Sequence, residues 1–237
     1  MTRNTILVVA ALATIVTLLS IACRDDSQVG GKADGSTDGV FLPGLDPTIV
    51  RQVEELTQKI TVDVDEATRE RIGRLISDLG RERETVERDG KRVSVTSQAL
   101  EELRTIGRAA IPQLLMAIST QKDEAVRSKA LAHMFQAAKK DVGQIGEYLP
   151  VFVRSMWDKE PRVRGTAVAQ IGQAARAFRR KGCQEQLNLC TQYLVKALSD
   201  DAEGVQSHAA TCLDVIDRID LVPEEIREKY GTGGFRP

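Results

Sequence analysis

The stretch Glu160-Pro161-Arg162-Val163-Arg164 opens a run in which Val163, Ala167, Ile171, Ala174 and Phe178 follow one another at steps of 4, 4, 3 and 4 residues. That spacing draws one stripe down an α-helix, because side chains three and four residues apart share a face. Pro161 falls in the first turn, where a missing N–H forfeits no hydrogen bond. The stripe appears twice more, upstream as Val126, Ala130, Met134 and Ala138, and downstream as Val205, Ala209, Cys212 and Ile216. Asp123, Asp200 and Asp201 stand near the starts of these helices, where a carboxylate satisfies free backbone N–H groups.

A second element precedes each stripe. Ile111-Pro112-Gln113-Leu114-Leu115 returns 38 residues later as Leu149-Pro150-Val151-Phe152-Val153, and more faintly as Cys190-Thr191-Gln192-Tyr193-Leu194. Val126, Val163 and Val205 lie 37 and 42 residues apart. Periods near forty with two helices each predict a helical solenoid, in which every unit buries its apolar face on the next. Composition agrees. Hydrophobic residues make up 42% of the chain but aromatics only 4%, so Leu, Ala, Val and Ile must build the core. Such small aliphatic residues suit close helix packing better than a β-sandwich.

These segments resemble HEAT repeats, of the short kind first noted in phycobilin lyases. The resemblance is carried by Leu103-Arg104-Thr105-Ile106-Gly107 with Ala110-Ile111-Pro112, by Ala169-Gln170-Ile171-Gly172, and by the pairs Val126-Arg127 and Val163-Arg164. It spans Gln98 to Ile219 and implies an all-α fold, a HEAT-like α-solenoid of about four helix pairs with its clear repeats at 97–220. In the third unit Gln206 replaces the arginine, as befits a terminal cap. Upstream, Pro47 to Ile60 and Asp65 to Leu79 read as one more helix pair at 46–80, and Asp65-Glu66-Ala67-Thr68-Arg69 echoes Asp123-Glu124-Ala125-Val126-Arg127. An insertion at 81–96 follows. Its Asp89-Gly90 dipeptide predicts a small β-hairpin near 84–95 that pairs Val86 with Val93 and Glu87 with Arg92. Residues 221–237 form a C-terminal tail.

At the other end, Arg3 precedes an apolar run from Ile6 to Ala22, which closes on Leu19-Ser20-Ile21-Ala22-Cys23. This resembles the lipobox of bacterial lipoproteins, although Ser20 stands where that family usually has leucine. The resemblance implies a signal peptide at 1–22 and a diacylated Cys23 as the mature N-terminus. An uncleaved N-terminal anchor with an incidental Cys23 is the other reading, and both put the body outside the cytoplasm, in the periplasm or at the cell surface. Arg24 stands where a retention aspartate would hold a lipoprotein at the inner membrane, which leans toward the outer one. The segment 23–45 reads as the lipidated cysteine and a disordered tether. Four aspartates and five glycines between Arg24 and Leu45 cannot offset the entropy of ordering. Such a tether spans roughly 25 Å on average.

The rest of the chemistry is sparse. His133 and His208 lie a whole repeat apart, and no acid–base constellation or Gly-rich phosphate loop accompanies them. The expectation is therefore no enzyme, no cofactor, no metal and no nucleic-acid partner. Cys183, Cys190 and Cys212 are candidates for a disulfide in an oxidising compartment, pairing Cys190 with Cys212 or Cys183 with Cys190. Equally, all three fit as buried free thiols. The net charge of −1 hides an asymmetry. From Arg154 to Lys181 eight bases face two acids, and from Glu185 to Lys229 four bases face ten acids. Arg162, Arg176, Arg179, Arg180 and Lys181 are the candidate partner-binding residues, suited to an acidic protein patch or anionic headgroups. A solvated face whose last-turn bases complement the helix dipole is the other reading. These features predict a membrane-anchored scaffold that binds another protein. An obligate accessory subunit of an envelope complex, or an enzyme with a cryptic site, are the alternatives.

Overall fold

A computed structural model of the chain describes residues 45–60, 62–88 and 90–230. The leader, Cys23, nearly all of the tether and residues 231–237 of the tail lie outside the described residues.

The body is mostly helical and carries a two-stranded antiparallel sheet. Helix α1 (Pro47–Lys59) starts where the Asp46 carboxylate accepts the Thr48 N–H, and α2 (Glu66–Asp78) starts where Asp65 accepts that of Thr68. Strands β1 (Thr85–Arg88) and β2 (Lys91–Ser94) follow, and β2 runs directly into α3 (Val95–Ile106). Gly107, at φ +67°, ends α3, and a short 3-10 turn leads to α4 (Ile111–Thr120). Next come α5 (Glu124–Ala138), α6 (Val142–Ser155), α7 (Pro161–Lys181), α8 (Gln184–Ala197) and α9 (Glu203–Val215). A 3-10 turn (Ile219–Leu221) and α10 (Glu224–Tyr230) close the described chain.

The predicted hairpin forms in the expected register, with Val86 opposite Val93 and Glu87 opposite Arg92. Gly90 takes φ +71°, which the tight turn needs and a residue with a Cβ resists. All four residues of β1 are exposed.

The stripes read from sequence are the buried faces. Val163, Ala167, Ile171, Ala174 and Phe178 are all buried, as are Val205, Ala209 and Ile216. One continuous apolar core runs from Ile49 to Val222. Helices α5, α7 and α9 lie side by side, parallel and in register. Ser128 and Thr166 share a hydrogen bond of 2.7 Å between α5 and α7. Gly165 of α7 faces Val205 and His208 of α9, and Gly172 faces Cys212 seven residues further along. The glycines let the two backbones approach closely. Between these helices α6 packs on α5 and α7, and α8 on α7 and α9.

The N-terminal helices pack differently from the sequence expectation. Helix α2 packs on α3, across the hairpin insertion, and also touches α4 and α5. Helix α1 lies chiefly on α6, with some contact to α4, and buries Ile49, Val53 and Leu56 there. The insertion therefore sits inside a helix pair rather than between two pairs. A second difference concerns Pro150. Its sequence partner Pro112 lies in the first turn of α4, but Pro150 is interior to α6, which starts earlier because Asp141 caps it at Gly143. Among the described residues, no helix is long and apolar enough to cross a membrane.

Candidate functional site

The Val-Arg pairs are parts of a repeated polar rung. In α5, Arg127 donates from Nε and Nη2 to the two carboxylate oxygens of Asp158, at 2.9 and 2.7 Å. Its Nη1 donates to the carbonyls of Gln121 and Lys122. In α7, Arg164 repeats every contact 37 residues on. It holds both oxygens of Asp200 at 2.8 Å, and its Nη1 reaches the carbonyls of Asp158 and Lys159. Asp158 and Asp200 in turn accept the N–H groups of Glu160 and Ala202, two residues further on. Each rung thus fixes a loop, a helix start and the next loop at once. In α9, Gln206 keeps the backward contact, to the Asp200 carbonyl at 2.6 Å, and its Oε1 accepts the Tyr230 hydroxyl of α10 at 3.1 Å in place of a forward carboxylate contact.

The structure divides the candidate basic residues. Arg162 lies at the start of α7 and Arg180 eighteen residues later, which puts them roughly 27 Å apart along the axis. Arg162 is paired with Glu82, and Arg179 with Asp217 of the loop after α9. Arg176, Arg180 and Lys181 are exposed and form no ion pair among the described residues. Sequence reasoning overlooked Lys139 and Lys140. They follow directly on α5, the neighbour that the Ser128–Thr166 bond joins to α7, and both are exposed. Their shared position at the end of a second helix was the available signal.

Cys183, Cys190 and Cys212 are free thiols. Burial pushes the Cys190 thiol up to about 12 and that of Cys212 up to about 11, so neither is a nucleophile at neutral pH. Cys212 rests against Gly172, and half-buried Cys183 stands at the start of α8. His133 is buried on α5, its Nε2 finds no hydrogen-bond partner among the described residues, and burial lowers its pKa against a weaker opposing effect of the Leu103 backbone. His208 is exposed and hydrogen-bonds through Nδ1 with the Gly204 carbonyl. Among the described residues, no three His, Cys, Asp or Glu side chains converge as a metal site.

A cleft of about 400 Å³ lies between α8 and the 3-10 turn after α9, lined by Asn188, Thr191, Gln192, Val195, Arg218 and Leu221. It offers amide, hydroxyl and apolar contacts with one fixed positive charge, a binding rather than a proton-transfer set. A smaller cleft of about 220 Å³ lies beneath the hairpin, where Val86 faces Leu75, Val95 and Ala99. Comparison with known protein families, curated proteins and solved structures finds no match to this chain.

Proposed function

We propose that the chain is an exported lipoprotein, anchored through Cys23, whose body is a HEAT-like α-solenoid that holds another protein. The observation that carries this reading is the repeated rung, Arg127 to Asp158 and Arg164 to Asp200. Two units that repeat the same clasp, with parallel second helices in register, are what a stack of like modules requires. Stacks of that kind present long continuous surfaces suited to protein partners. The exposed bases Lys139, Lys140, Arg176, Arg180 and Lys181 favour a partner with an acidic patch. The lipobox-like leader and the glycine-rich tether would hold the body near a membrane of the cell envelope.

Crosslinking and affinity purification from the native membranes test the scaffold. A variant with Arg176, Arg180 and Lys181 changed to Glu runs beside the wild type, leaving the paired Arg179 untouched. One partner in near-equal amount, lost from the variant, supports both scaffold and edge, and an equal yield from a stable complex makes the chain an accessory subunit. A partner kept by the variant moves the site elsewhere. No partner from either overturns the scaffold. Cys23→Ser tests the anchor separately, since it must abolish incorporation of a labelled fatty acid.

A further inference from the structure

The first junction of the second helices lacks a full rung. Thr96 of α3 takes the place of Arg127 and Arg164. Its hydroxyl lies 3.3 and 3.4 Å from the carbonyls of Asp78 and Leu79, the same backward contact, but it is too short to reach forward. Gln121 stands where Asp158 and Asp200 stand, so the forward carboxylate is missing as well. The link is made instead by Glu82, from the loop between α2 and the hairpin. Its carboxylate is held by Lys129 of α5 and by Arg162 of α7. Lys129 also donates to the Leu79 carbonyl at 2.9 Å, so its ammonium is positioned without Glu82. A Cβ on Gly80 would fall 2.6 Å from the Asp123 carboxylate, which shows how closely this loop crosses the start of α5.

The arrangement is solvent-accessible, with the side chains of Glu82 and Arg162 38% and 43% exposed. Two cations from different helices converge on one carboxylate that arrives from a third element. A carboxylate from another molecule could replace it one for one, with the hydrogen-bond count unchanged. We propose that Lys129 and Arg162 form a carboxylate seat, that Glu82 fills it in the free protein, and that an acidic side chain of a protein partner displaces Glu82 on binding. The seat rests on the reading of this chain as a protein-binding scaffold. The two cations hold the Glu82 carboxyl down to about 2, so it stays charged at any ordinary pH and protonation does not release it.

The test uses the full chain in detergent micelles, with a hexaglutamate peptide as the probe. Titration calorimetry at low salt compares wild type, Glu82→Gln, and the double variant Glu82→Gln/Arg162→Gln. Emptying an occupied seat should tighten binding by about tenfold in Glu82→Gln, because the competent fraction rises. The double variant should lose that gain. Amide exchange supplies a readout on the unaltered protein, where hexaglutamate should speed exchange across 81–94 and Arg162→Gln should abolish the effect. Glu84→Gln, which removes one of the two carboxylates on Arg81 and leaves Asp78 in place, should bind like wild type. Equal affinities for wild type and Glu82→Gln, or no binding to Glu82→Gln, overturn the seat and leave Glu82 a structural staple. The native crosslinking experiment reports on the scaffold independently of either result.

Discussion

Arg127 is bound by Asp158 through two parallel hydrogen bonds while its remaining nitrogen closes the loop that precedes its own helix. The two side chains are only 6% and 17% exposed, so each depends on the other for its solvation.

Breaking that pair leaves a charge in a place that water barely reaches. Arg127→Ala should cost about 3–5 kcal/mol in urea unfolding, and Asp158→Ala a similar amount. Replacing both, as Arg127→Met/Asp158→Leu, should recover much of the loss, because no unpaired charge remains. If the double variant were as unstable as the singles combined, the rung would matter through its backbone contacts instead.

His133 makes stability depend on acidity. The unfolded chain takes up a proton near the ordinary value of 6.5, but the buried native imidazole resists it, so its folded value is the lower one. Stability should therefore be full above about pH 6.5 and decline as pH falls below it, until the native ring also protonates. His133→Leu should flatten that part of the profile. The check is the urea midpoint of both proteins between about pH 7.5 and pH 5.5.

Gly172 admits Cys212. A Cβ at this position would stand 2.7 Å from the Cβ of Cys212 and closer still to its sulfur. Gly172→Ala should destabilise by about 1–3 kcal/mol through overpacking. Adding Cys212→Ala should relieve the sulfur clash only, so the double variant stays below wild type. A neutral Gly172→Ala would show that α7 and α9 can separate freely.

Thiol labelling separates the two fates of the cysteines. In native protein Cys183 should react first with a maleimide, and Cys190 and Cys212 only after denaturation. Protein from an oxidising compartment that yields fewer than three of these thiols when denatured would carry a disulfide instead.

Much of the fold was legible because it rests on local periodicity. The 4, 4, 3, 4 stripe of α7 and the Asp89-Gly90 turn need no distant partner to be read, and the hairpin register followed from the turn. The packing of α1 on α6 was not legible, since an amphipathic stripe states that a face is buried but not against what. The rung was half visible. Val126-Arg127 and Val163-Arg164 stood out as repeated pairs, but the receiving Asp158 and Asp200 lie in other units and look like ordinary loop acids. The basic patch was misgrouped for a simple reason. The eight bases counted along the line from Arg154 to Lys181 include Arg162 at one end of a 21-residue helix and Lys181 at the other.

The rung has two halves, an arginine that reaches forward and an aspartate in the loop that waits for it. A unit duplicated between α5 and α7 would bring its own arginine to a waiting aspartate and offer its own aspartate to a waiting arginine. The chain could grow there without any other change. A copy placed after α9 would meet Gln206, which has no cation to offer an incoming aspartate and whose Oε1 already accepts the Tyr230 hydroxyl, so half its clasp would be missing. Length in this protein is therefore easy to gain in the middle and hard to gain beyond Gln206.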